Sequence, residues 1–179
     1  MISGSVRAGS TNSAALETAK AVAPEHVEAH VWHGLSQLPH FNPDDDVEPL
    51  DPAVADLRTA IGEADMVLLS TPEYAGALPG SFKNLLDWTI GGGEIYGKPV
   101  AWLNVSSPAA PSGGADAHDS LRKVLTYAGV DLVEAACRRV PVTRDMVGQD
   151  GVIEDPGVRT SIRAALDALI EHVERAPVM

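Results

Sequence analysis

The chain has 179 residues, 45% apolar, 21% charged and 4% aromatic; it is long enough to bury a core unaided and too apolar to be disordered. Its 13 basic and 25 acidic side chains leave a net charge of −12, which argues against nucleic acid or an anionic membrane surface as the main ligand. The one cysteine, Cys137, cannot close an internal disulfide and fits a reducing cytoplasm, and no apolar run approaches the ~20 residues needed to span a bilayer.

The chain opens on Met1-Ile2, either a very short first strand or the end of a longer one, and then a hydroxyl- and glycine-rich segment, Ser3-Gly4-Ser5-Val6-Arg7-Ala8-Gly9-Ser10-Thr11-Asn12-Ser13. It leads into a helix with Ala15, Leu16, Ala19, Val22 and Ala23 along one side. Small residues at a helix start let backbone N–H groups converge on an anion, and the helix dipole favours negative charge there. Ser5, Ser10, Thr11 and Asn12 add side-chain donors, and Arg7 adds a planar charged fork.

Residues 27–32 alternate apolar and polar, as an edge strand with one covered face does. An irregular stretch with the acidic run Asp44-Asp45-Asp46 follows and reads as a solvated loop, since its carboxylates match no metal-ligand spacing. A helix over 52–63 turns Val54, Leu57 and Ile61 inward. Met66-Val67-Leu68-Leu69 then forms a strand buried on both faces. It breaks at Ser70-Thr71-Pro72 into a small-residue loop, Tyr74-Ala75-Gly76-Ala77-Leu78-Pro79-Gly80, which feeds a helix bearing Phe82, Leu85, Leu86 and Trp88.

Beyond the glycines at 91–93, Pro99 opens a strand over 100–105. A second small-residue loop, 106–114, comes next, and then a helix with Leu121, Val124, Leu125 and Ala128 that Gly129 closes. Residues 130–136 read as the last strand, and a final helix carries Val158, Ile162, Leu166, Leu169, Ile170 and Val173. Five alternating strand–helix units with right-handed crossovers predict an α/β fold. The expected form is a doubly wound five-stranded parallel sheet in flavodoxin-like order 2-1-3-4-5, helices on both faces, with residues 1–179 as one domain. The loops after strands 1, 3 and 4 then meet at one sheet edge, where such folds hold ligands.

The first of these loops suits a phosphate, and the other two suit something flat and largely uncharged. FMN or a nucleotide answers both. Gly92 to Lys98 fits G-x-x-x-x-G-K, but Pro99 stands where a metal-binding Ser or Thr belongs, and the segment leads into a strand. There is no G-x-G-x-x-G fingerprint, no G-x-S-x-G elbow and no metal-ligand spacing among the histidines.

The sequence resembles the NAD(P)H-dependent FMN reductase family of flavodoxin-like quinone, azo-dye and chromate reductases. Gly4 to Asn12 is similar to that family's G-S-x-R-x-x-S-x-N phosphate loop, and Pro72 to Trp88 to its P-E-Y…P-G-x-x-K-N-x-x-D-W signature. The resemblance implies that Ser5, Arg7, Ser10 and Asn12, beside Thr11, hold the FMN phosphate. It implies that Pro72, Glu73, Tyr74, Ala75 and Gly76 line the flavin ring, and that Ser106 with Gly113 and Gly114 closes its far side. NAD(P)H is then the co-substrate and a quinone, flavin or similar small molecule the acceptor, with no side chain in a catalytic role. Lys83, Asn84 and Asp87, expected on the exposed side of their helix, would serve a homodimer or homotetramer contact. An electron carrier or a flavin-binding regulator of similar fold is the alternative.

Overall fold

A computed structural model describes residues 1–175. Five parallel strands form the sheet: β1 (Ile2–Ser3), β2 (Val67–Ser70), β3 (Pro99–Asn104), β4 (Asp131–Leu132) and β5 (Arg138–Arg139). Five helices surround it: α1 (Thr11–Val22), α2 (Pro52–Glu63), α3 (Gly80–Gly92), α4 (Ala115–Tyr127) and α5 (Pro156–Arg175). Strand periodicity sorts the side chains between two cores. Leu68, Ala101 and Leu103 pack on α1 and α5, and Val67, Leu69, Val100 and Trp102 pack on α2, α3 and α4. Helices therefore cover both faces, and β2 and, beyond Pro99, β3 are buried throughout, as their apolar runs require.

Local chemistry sets the helix ends. Ser10 caps α1, its Oγ accepting from Ser13 N at 3.0 Å, and Asp51 caps α2 from Ala53 N at 2.8 Å with Pro52 in the first turn. α3 runs through Gly92 and stops at left-handed Gly93.

Two of the expected strands differ. Residues 27–32 are not an edge strand: they contribute one parallel bridge, Ile2 to Trp32, with Trp32 N donating to Met1 O at 2.9 Å. β1 offers a ladder of only two residues, so a neighbour can pair no further. The expected strand at 130–136 is split. Asp131–Leu132 pairs with the start of β3, Glu134–Ala136 coils into a 3-10 turn, and Arg138–Arg139 pairs with the end of β3. The turn puts fully buried Ala136 into the core beside α5, and this burial outweighs continuity of the ladder.

One α3 signature residue sits differently from expectation. Asn84 is half-buried rather than exposed: its Oδ1 accepts from Phe41 N at 2.7 Å and its Nδ2 donates to Pro39 O at 2.8 Å. Trp88 Nε1 donates to the same carbonyl at 2.9 Å. Lys83 and Asp87 pair with each other along the helix at 2.5 Å. Buried Arg58 completes the clamp, donating to Trp88 O and to Asp46 Oδ1 at 2.7 Å, so one carboxylate of the acidic loop is a structural partner rather than solvated. These side chains fasten the 39–46 segment onto α3.

Candidate functional site

The carboxyl ends of β1, β2 and β3 release the three loops that the sequence singles out, and hydrogen bonds join them. Gly4 N donates to Ser70 O at 2.7 Å. The Ser70 hydroxyl, fully buried, shares its proton between Asn12 Oδ1 at 2.9 Å and Leu103 O at 3.0 Å. A Cβ at Gly4 would fall 2.5 Å from Thr71 Oγ1 and 2.8 Å from Phe82 Cγ, so only glycine lets the first loop lie this close to the second.

Within the first loop the hydroxyls fold the backbone. Ser5 Oγ accepts from Arg7 N at 3.3 Å and Ser3 Oγ from Ser5 N at 3.3 Å. Ser10 Oγ caps α1 and lies 2.9 Å from Ser13 Oγ. Among the described residues, the N–H groups of Val6, Ala8, Gly9, Thr11 and Asn12 have no protein acceptor. The Arg7 guanidinium, on an exposed residue, makes no ion pair with a described residue. Unpaired donors gathered at the start of a 12-residue helix fit a phosphate. Asn12 is buried, and its carbonyl oxygen braces Ser70, so part of its expected role goes to structure.

The second loop turns tightly. Tyr74 and Ala77 exchange backbone hydrogen bonds at 3.1 and 3.2 Å across Ala75 (φ 52°) and Gly76 (φ 71°). Two left-handed residues in succession make a hairpin turn of the kind that normally favours Asn-Gly, and Ala75 holds its place there at a cost of roughly 1–2 kcal/mol. Tyr74, Ala75 and Gly76 are exposed, and the Tyr74 residue is 54% accessible.

The third loop folds over Asn104, whose Nδ2 donates to Gly113 O at 2.9 Å and whose Oδ1 accepts from Ser106 N at 3.0 Å. A Cβ at Gly114 would fall 2.2 Å from Ser106 Oγ, so the expected trio of Ser106, Gly113 and Gly114 is brought together. Glu73 reaches across from the second loop, with Oε1 2.5 Å from Ser112 Oγ and Oε2 3.2 Å from Ala117 N. The Ser112 bond, the largest cause, holds the Glu73 carboxyl below its ordinary range. Beneath the loop, His118 Nδ1 bonds Gly114 O at 2.7 Å, while Nε2 is buried with no hydrogen-bond partner among the described residues. Burial lowers its pKa and favours the neutral ring. The Cys137 thiol is pushed up by burial, so it lacks the thiolate character of a nucleophile.

Ser70, Asn104 and Ser112 are the site-building residues that sequence reasoning missed. For Ser70 and Asn104 the signal was present: each is a polar residue ending an otherwise apolar strand, where a buried polar group needs an internal partner. The surface so built offers donors for one anion at the first loop and, from the other two, walls of small residues. That arrangement fits a phosphorylated planar group that brings its own chemistry.

The sequence model of the family described as NADPH-dependent FMN reductase matches residues 1–138. The chain belongs to that family. An NAD(P)H-dependent FMN reductase of Pseudomonas aeruginosa is 34% identical over 176 residues, 97% of this chain and 94% of the relative. A quinone reductase of Escherichia coli is 29% identical over 179 residues, 98% of this chain and 94% of the relative. Among solved structures, FerB, a flavoenzyme NAD(P)H:(acceptor) oxidoreductase from Paracoccus denitrificans, matches with a TM-score of 0.77 at 26% identity, over 97% of this chain and 95% of its own.

Gly114→Ala tests the packing of the third loop. Gly114 has φ 79°, and its Cβ would also stand 2.8 Å from Asn104 Oδ1. The variant should lose about 2–4 kcal/mol of stability, read as a lower urea midpoint at unchanged slope. A wild-type midpoint would show that the loop is looser than this geometry.

Proposed function

We propose that the chain is an NAD(P)H-dependent FMN oxidoreductase reducing a flavin, quinone or similar small acceptor, with residues 1–179 forming one flavodoxin-like, FMN-binding domain. The observation that carries this reading is the set of unpaired donors around Arg7 at the start of α1, joined through Ser70 to two small-residue loops. Family membership supports it independently.

In this reading Ser5, Arg7, Ser10, Thr11 and Asn12 surround the phosphate, Thr11 and Asn12 through their backbone N–H groups, Ser5 and Ser10 through their hydroxyls and Arg7 through its guanidinium. Pro72, Glu73, Tyr74, Ala75 and Gly76 border one side of the ring, and Ser106, Gly113 and Gly114 close the other. When bound, FMN supplies the hydride chemistry; the protein binds and orients it and shields it from water. Loops cover the phosphate end and ring edges, so one open face serves both nicotinamide and acceptor in turn. The exposed side chains of Ile90 (53%) and Tyr74 (54%) support a homodimer or homotetramer contact around α3, which a light-scattering mass of one chain at micromolar concentration would exclude. Among the described residues no helix is long and apolar enough to cross a membrane, and we place the protein in the cytoplasm.

Two measurements test the reading. Arg7→Ala should weaken FMN binding by about 1.5–3 kcal/mol, the value of a charge-assisted hydrogen bond, and leave riboflavin affinity unchanged. Equal FMN affinity in both proteins would remove the phosphate assignment. Initial rates of NAD(P)H oxidation at several quinone concentrations should give parallel double-reciprocal lines. Intersecting lines would mean that both substrates occupy the site together.

A further inference from the structure

α4 begins without a cap of its own. Its N-cap is Gly114, which has no side chain to accept a hydrogen bond, although helix starts favour Ser, Thr, Asp or Asn there. The missing acceptor comes from another loop: Glu73 Oε2 accepts from Ala117 N, in the first turn of α4, at 3.2 Å. The same carboxylate accepts from Ser112 Oγ at 2.5 Å, and Ser112 Oγ in turn accepts from Gly114 N at 3.1 Å. The other side of the loop is tied to the sheet by Asn104 and to α4 by His118. One half-buried carboxylate therefore spans the second loop, the third loop and the start of α4, residues 39 and 44 positions away in the chain.

We propose that Glu73 is a positioning residue, an ionised clasp that caps α4 from outside and fixes the spacing between the two small-residue loops. A carboxylate suits the position because it accepts from both donors at once and its charge faces the positive end of the helix dipole. An amide in its place offers one acceptor oxygen and turns an N–H₂ group toward one of the two donors. The loop 106–114 is then held by the rest of its own bonds, and the gap between the walls is no longer set. The proposal rests on the reading that these loops flank the ring of a flavin whose phosphate lies at the first loop. It assigns Glu73 to the ring end of the ligand and leaves the phosphate end to Arg7.

The test is a titration of the apoprotein with riboflavin and with FMN, for wild type, Glu73→Gln, Ser112→Ala and the double variant. Glu73→Gln should weaken both ligands by the same factor, about tenfold for one cap and one charge-assisted bond disturbed, with the FMN-to-riboflavin ratio unchanged. Ser112→Ala, which keeps the Ala117 cap, should shift both ligands in the same direction by less. The double variant should be weakened by less than the product of the two single effects, because the two residues share one bond. Amide exchange at Ala117 should quicken in Glu73→Gln and stay near wild type in Ser112→Ala. Riboflavin affinity unaltered by Glu73→Gln, additive effects, or a changed FMN-to-riboflavin ratio would each overturn the clasp. Wild-type protein that binds neither flavin would overturn the flavin reading itself and, with it, the role of Glu73 at the ring.

Discussion

The Ser70 hydroxyl is the joint on which the site depends. Parallel strands end by leaving backbone groups without ladder partners, and three such ends lie side by side here. One proton, shared between Asn12 Oδ1 and Leu103 O, links the loop that follows β1 to the ends of β2 and β3. A buried hydroxyl or amide left unpaired costs about 1–3 kcal/mol, so each loop is held to a geometry that satisfies its neighbours. Asn104 does the same one strand further on, closing the third loop over the end of β3. The polar residues buried at this edge thus build the walls, and small residues and backbone present the surface.

Charge follows the same division. A chain with a net charge of −12 repels an anion at long range, so attraction has to be local. Several cations are spent on structure: Arg58 on Asp46 and a helix carbonyl, Lys83 on Asp87, Arg163 on Asp167. Arg7, at a helix start, makes no ion pair with a described residue. On the second loop the Glu73 carboxylate, which would oppose a bound anion, is drawn off to Ser112 and to the first turn of α4.

Much of this was legible in the sequence. The apolar runs of β2 and β3 had one reading because a strand covered on both faces needs no particular neighbour to stay buried. The helices showed through their 3.6-residue spacing, and the three loops through their composition. The sheet edges were not legible. Whether 27–32 pairs depends on how much strand β1 offers, and whether 130–136 stays straight depends on what Ala136 finds in the core; neither is written in the segment itself. For the same reason Asn84 looked like an exposed residue, and the hydrogen bond that buried Trp88 makes beside it was hidden: both side chains hold Pro39 O across more than 40 positions of chain. Glu73 read as part of a ring-lining motif, and its bonds to Ser112 and Ala117 appear only once two distant loops are folded together.

The central claim is that these loops hold a flavin able to take a hydride from a nicotinamide. Mixing FMN-loaded protein with NAD(P)H under anaerobic conditions, with no acceptor present, tests it most directly. The account predicts that the yellow absorbance bleaches and returns when a quinone is added. Absorbance that stays yellow in the presence of excess NADH and NADPH would contradict it, leaving a protein that binds flavin without turning it over.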